Sequence, residues 1–318
     1  MFSIDTREEK GFNIVCLNDQ TLGASVEIIP ECGAILHAFK ILHEEKELNI
    51  IDQYKSKNEF NEKVEADGFK SCKLSPFVCR LKEGKYLFAE KEYQVEKFYL
   101  GNHALHGLIY DASFTLINLE ATSEKASAEL HYSYKGTDKG YPFKYDCTVI
   151  YELVKDQKLN INTIIKNNES LAIPVSDGWH PYFTFGKSID ELYLQFRSGD
   201  MLEFDDELVP TGKKLPYTQF EELKKIGSTQ LDNSFVVDAE EEPLLILRDA
   251  EKNLQLEIIA DKSYPILQIY TPPHRQSIAI ECLSAAPDAF NNEMYLTVLP
   301  GGQEAIFKTT YVIKNLGA

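Results

Sequence analysis

The stretch ASAELHYSYK, residues 126–135, alternates without a break. Its even positions, Ala126, Ala128, Leu130, Tyr132 and Tyr134, are apolar or aromatic, while Ser127, Glu129, His131, Ser133 and Lys135 are polar. Successive side chains of a strand point to opposite faces, so this period of two describes a strand buried on one face and wet on the other. NLQLEI (253–258) alternates in the same way. TVIYELVKDQKLNINTII (148–165) reads as two strands about a polar Lys155-Asp156-Gln157 turn, and GKYLFAEKEYQVEKF (84–98) as a second hairpin. IFKTTYVIK (306–314) closes the chain as a last strand. One short helix is predicted at YTQFEELKKIG (217–227), where Phe220, Leu223 and Ile226 share a stripe that ends at Gly227. No Gly/Ser-rich linker, composition break or repeat divides the chain. The prediction is all-β: a large antiparallel β-sandwich with few short helices, forming a single domain over residues 1–318.

Composition narrows the partners. The 318 residues are 43% hydrophobic and 26% charged, enough for a sizeable core, and the formal net charge is −17. Such a surface repels nucleic acid and anionic membranes, so neither is expected as a partner; a small neutral molecule is unaffected. The N-terminal MFSIDTREEKGFNI carries charges where a signal peptide needs an apolar run, and no segment approaches the ~18 uninterrupted apolar residues of a membrane span. Six scattered cysteines (16, 32, 72, 79, 147 and 282) contain no C-x-x-C pair, which suggests reduced thiols in a cytoplasmic protein.

Several residues are candidates for chemistry. SDGWHPYFTFG (176–186) sets His180 among Trp179, Tyr182, Phe183 and Phe185. It reads either as a core histidine or as a proton donor beside flat apolar faces that pack on sugar rings. SIAIECL (277–283) carries no charge except Glu281. A carboxylate in such a strand is costly to bury unless paired, and desolvation raises its pKa into the range of a general base; the competing reading is a structural Glu bonded to backbone or Arg. GNHALHGLIYD (101–111) offers His103 and His106. No third ligand lies at short spacing, so no metal site is expected. His106 reads as a sugar-hydroxyl partner, with Gly107 letting backbone approach a ligand, and His103 as a solvated loop residue. Asp232 in LDNSF (231–235) and Arg80 in FVCRLKEGKYLF (77–88) are each ambiguous, between turn cap or salt bridge and hydroxyl clamp.

Taken in order, the motifs resemble the aldose 1-epimerase (galactose mutarotase) family. CRLKEGKYLFAEKEYQVEKFYLGNHALHG (79–107) is similar to the family's R-I-x-x-G-x-F, Y-x-L and N-x-L-H-G run, and KGTDKGYPFKYDCTVIYEL (135–153) to its G-x-x-G-x-P-G segment and following strand. GWHPYF (178–183) resembles its N-H-x-Y-F motif and LVPTG (208–212) its I-P-T-G turn. LDNSF, IECLSAAPDAFNN (280–292) and the final LPGG…TTYVI match its Asp loop, its E-x-x-x-x-P-D-x-x-N strand and its terminal segment. Trp179 stands where many members have Asn, and TPPHRQ (271–276) replaces a longer loop.

The resemblance implies a mutarotase-like supersandwich with a sugar cleft on a concave sheet. It implies Glu281 as general base, His180 as general acid, and Arg80, His106 and Asp232 as sugar-binding residues; Trp179, beside His180, is expected to be substrate-binding as well. Interconverting the α and β anomers of a free hexose needs only removal of the C1 hydroxyl proton and protonation of the ring oxygen, without metal or cofactor, by an acid and a base on opposite sides of the anomeric centre. Other readings are a hexose-6-phosphate 1-epimerase, with Arg275 and Lys73 as phosphate candidates, a non-catalytic carbohydrate-binding protein, and a glycosidase using Asp232 and Glu281. A monomer or homodimer is expected.

Overall fold

The computed structural model describes residues 1–237 and 243–317. The opening stretch forms the strand Lys125–Tyr134, and Ala126, Ala128, Leu130 and Tyr134 are all buried, as the alternation requires. It pairs with Tyr145–Val154, which turns at Lys155-Asp156-Gln157 into Lys158–Asn167. The last strand, Glu304–Asn315, lies beside Lys158–Asn167 and carries the sheet on through Leu254–Ala260 and Leu245–Asp249. The result is a nine-stranded antiparallel sheet.

An eight-stranded sheet faces it. The strands Asp232–Val236, Ile266–Tyr270 and Ile278–Leu283 are its consecutive centre. Their alternate residues Phe235, Leu267, Ile269, Ile278 and Ile280 join one core with Val149, Tyr151, Leu256 and Tyr311 of the larger sheet. The opposite face of these central strands is left to the functional site. A five-stranded sheet over residues 2–49 packs on Lys125–Tyr134 and Tyr145–Val154 of the nine-stranded sheet, and its Phe12 and Ile35 share an apolar cluster with Phe60 of the short helix Lys57–Lys63. Ser56 caps that helix by accepting a hydrogen bond from the Glu59 amide at 3.2 Å.

Two expectations are corrected. Residues 217–227 are not helical. Phe220 and Ile226 are buried as predicted, but the backbone serves the sheet edge: the Ile226 amide donates to Leu192 O at 2.9 Å and Lys224–Lys225 pairs with Tyr193–Phe196. Pairing against an existing edge satisfies the backbone that a lone helical turn would leave open. In 253–258 two of the polar positions are buried too, Gln255 at 4% and Glu257 at 7% exposure, while Asn253 is exposed. Arg248 donates to Gln255, Gln255 to Glu257, and Lys314 binds Glu257 at 2.8 Å, so the outer face carries a satisfied polar ladder.

Candidate active site

The site grows from one break in a strand. Gly178–Trp179 and Tyr182–Phe183 both pair with Ile278–Leu283, Gly178 opposite Leu283 and Tyr182 opposite Ala279. Carried through the gap, the same register sets His180 opposite Glu281. Pro181 has no amide to give, but its carbonyl accepts from Ile280 at 3.2 Å. On its other side His180 is held by backbone: its amide donates to Cys72 O at 3.1 Å, and its carbonyl accepts from Ser71 at 2.9 Å. Residues 64–72, which follow the helix Lys57–Lys63, are thereby fixed to the site.

The outcome is direct contact. His180 Nε2 lies 3.3 Å from Glu281 Oε1, with both side chains almost wholly buried. The acid and base candidates therefore stand side by side. Burial lowers His180 to about 4, and burial followed by the nearby Asp232 charge raises Glu281 well above the usual carboxylate range. Both directions favour the uncharged forms, a carboxylic acid beside a neutral imidazole. His180 Nδ1, His106 Nδ1 and Glu281 Oε2 have no partner. Buried polar atoms left open each cost about 1–3 kcal/mol, which a polar ligand would relieve.

A cleft with a cavity volume of ≈ 260 Å³ opens over the pair and is also lined by Arg80, His106, Asp232 and Gln268. His106 meets His180 edge-on at 5.0 Å between ring centroids and packs on Phe69 at 4.7 Å. Burial, with His180 and Arg80 adding to it, holds His106 well below the usual imidazole range, so it is neutral. The Arg80 carbonyl accepts from the Asp288 amide at 2.8 Å, and its half-buried guanidinium makes no hydrogen bond among the described residues and lies in the wall. Burial raises Asp232, an effect that Arg80 and then Gln268 oppose. Phe69, Tyr182, Phe204, Leu208 and Leu100 supply the apolar lining. Among the described residues no three His, Cys, Asp or Glu side chains converge as a metal-ligating group.

Five of the six residues singled out in the sequence thus meet in one cleft. Trp179 does not. Adjacent strand residues face opposite sides, so placing His180 in the cleft sends Trp179 through the sheet, against Tyr151 at 6.0 Å and beneath the Lys73 ammonium at 4.4 Å. Other corrections concern the neighbours. His103 is buried, not solvated, and its Nδ1 accepts from the Glu83 amide at 3.0 Å. Gly107 admits the Ser75 backbone rather than a ligand: a Cβ there would lie 2.2 Å from Ser75 O. Lys73 is sealed in the core on Asp177 and Gly178 O, and Arg275 is tied to Asp190 and Gly227 O, so neither reaches the cleft. Sequence reading missed Gln268, although it is the sole polar residue of ILQIY (266–270), the same signal that singled out Glu281.

The sequence profile of the aldose 1-epimerase family matches residues 15–312. The chain belongs to this family. A relative named YihR, from Escherichia coli strain K12, is 29% identical over 240 residues, 72% of this chain and 74% of that protein. A maltose epimerase from Levilactobacillus brevis is 22% identical over 47% of this chain and 50% of its own length. Among solved structures, a galactose mutarotase-like protein from Clostridium acetobutylicum superposes with a TM-score of 0.88 at 18% identity, covering 99% of each chain. Galactose 1-epimerase from Lactobacillus acidophilus NCFM gives a TM-score of 0.82 at 17% identity, covering 99% of this chain and 98% of that one. The fold is thus that of the galactose mutarotase-like proteins.

Proposed function

We propose that the chain is an aldose 1-epimerase that interconverts the α and β anomers of free, uncharged aldoses. The observation that carries this reading is the His180–Glu281 contact of 3.3 Å at the floor of a cleft rimmed by Arg80, His106 and Asp232. A binding module has no need of such a pair. In the proposed reaction the shared proton passes from Glu281 Oε1 to His180 Nε2, leaving a carboxylate base and an imidazolium acid. Glu281 takes the C1 hydroxyl proton while His180 protonates the ring oxygen, and the C1–O5 bond breaks to give the aldehyde. Rotation about C1–C2 presents the other carbonyl face, and the same groups run in reverse. O1 and O5 share one carbon, so a neighbouring acid and base can reach both. Arg80, Asp232 and His106 hold the remaining hydroxyls.

Charge in the cleft supports a free sugar over a phosphorylated one. Arg80 is the sole cationic side chain in a lining that also contains Glu65, Asp232 and Glu281. The six unpaired, buried cysteines support a reducing, cytoplasmic setting. The test is polarimetry of freshly dissolved α-glucose and α-galactose, with maltose added because a relative bears that activity in its name. Acceleration of at least one over the buffer rate is expected; no acceleration of any aldose by folded protein would refute the reading.

A further inference from the structure

We propose that Tyr182 is a positioning residue that fixes the plane of the His180 imidazole, and that Gly68 exists to seat the tyrosine hydroxyl. This rests on the epimerase reading for its kinetic consequence, while its geometry stands independently.

Tyr182 and His180 are two positions apart on a broken strand and point into the same cleft. Their rings lie stacked, 5.2 Å between centroids and 12° between planes. His180 needs such support because no hydrogen bond at its Nδ1 ties the ring to another described residue. A histidine whose far nitrogen is bonded cannot turn about its χ2 without breaking that bond; here flat packing must do the same work. His106 meets the imidazole edge-on at 90°, and Tyr182 covers a face. Between them the plane of the ring is set, and Nε2 lies 3.3 Å from Glu281 Oε1.

Tyr182 is itself anchored. Its carbonyl accepts from Asp52 at 2.9 Å, and its ring is 2% exposed. The hydroxyl reaches Gly68 so closely that a Cβ built there would lie 2.4 Å from it and 3.3 Å from the ring carbon that bears it. Gly68 has φ +78°, and it belongs to the segment whose Ser71 and Cys72 grip the His180 backbone. One loop therefore holds both the main chain of His180 and, through Tyr182, its ring. The charged and titratable groups around the pair are Glu281, His106, Asp232, Arg80, Glu65, Cys79, Tyr270 and Asp52. None is replaced in the test.

Four variants decide the matter: Tyr182→Phe keeps the stack, Tyr182→Leu removes it, Gly68→Ala pushes on the hydroxyl, and Gly68→Ala/Tyr182→Phe takes the hydroxyl away again. The first measurement is the proton NMR titration of the His180 ring, assigned by its loss in His180→Asn, and it needs no substrate. Tyr182→Leu admits water and moves the midpoint up towards the ordinary ~6.5, whereas Tyr182→Phe holds it near the wild-type value. In polarimetry Tyr182→Leu loses kcat by about 10- to 100-fold with KM little changed, and Tyr182→Phe loses far less. Gly68→Ala also loses kcat, and Gly68→Ala/Tyr182→Phe recovers part of it. Both Ala variants carry the same backbone strain at positive φ, so that recovery isolates the hydroxyl collision. Equal His180 midpoints in Tyr182→Phe and Tyr182→Leu, or no recovery in the double variant, would overturn the proposal. Absence of sugar turnover by the wild type would count against the epimerase reading alone, and the titration would still decide the positioning role.

Discussion

Gln268 stands directly opposite Glu281 in the ladder between Ile266–Tyr270 and Ile278–Leu283, and its amide nitrogen donates to Asp232 Oδ1 at 3.0 Å. Its amide oxygen accepts from Ser234 Oγ at 2.5 Å, so the orientation of the group is set from behind. Ser234, Gln268 and Glu281 are cross-strand neighbours in one row, and continuing the row meets His180. Removing Gln268 therefore strips the Asp232 carboxyl of its side-chain partner next to Glu281. Gln268→Leu is expected to raise KM about 10-fold or more, from the ~1.5–3 kcal/mol of a hydrogen bond to a charged group, with a smaller effect on kcat. Steady-state polarimetry checks it; an unchanged KM would mean that Asp232 does not hold the sugar.

The acid–base pair should behave as a unit. Glu281→Gln and His180→Asn are each expected to cut kcat about 10²- to 10⁴-fold while leaving KM nearly unchanged, because proton transfer operates in the transition state. The double variant should be scarcely worse than either single one. Near-full turnover in pure Glu281→Gln would move the base elsewhere.

Arg80 should act on the bound sugar rather than on the proton. Its guanidinium is open to the cleft, so Arg80→Ala is predicted to raise KM as well as lower kcat/KM. Arg80→Lys should recover only part of the loss, since a point charge cannot reproduce the planar fork. A kcat effect without a KM effect would reassign the residue to the chemistry.

The pH profile follows from the single shared proton. On the acid side the pair gains a second proton, and burial holds His180 down at about 4, so activity should persist below the ordinary imidazole range before falling. On the alkaline side the pair loses its only proton, and the raised pKa of Glu281 moves that limb well above the usual carboxylate range. The plot of kcat/KM against pH is therefore bell-shaped with macroscopic limbs belonging to the pair. A profile with one limb would show that a single group carries the proton.

Stability should trade against function at Glu281. Its folded pKa lies above the unfolded one, so its favourable contribution is complete below about 4.5 and is lost as pH rises through the folded value. Glu281→Gln cannot ionise, so its Tm advantage over wild type should grow with pH between mildly acidic and alkaline buffers. His37 and His180, both held at about 4, act in the opposite sense: their contribution is present above about 6.5 and is lost as pH falls through 4. Differential scanning calorimetry of both proteins across pH tests the two slopes; a constant Tm difference would contradict the first.

The local pattern of this chain decided a great deal by itself. A strand's side chains alternate, so the period of two in 126–135 and the polar turn at 155–157 determined strands and hairpin directly. A lone carboxylate in SIAIECL singled out Glu281, because burying charge is costly enough to need a reason. What sequence could not decide was contact. The helical stripe at 217–227 became turns and a two-residue edge strand, Lys224–Lys225, because Leu192 and Tyr193–Phe196 offered backbone partners. Trp179 went to the core and His180 to the cleft because the sheet has two faces, and only the register against Glu281 says which residue gets which. The 3.3 Å contact of His180 with Glu281 joins residues about a hundred positions apart, and the distance and burial that set their protonation exist only once the strands have paired.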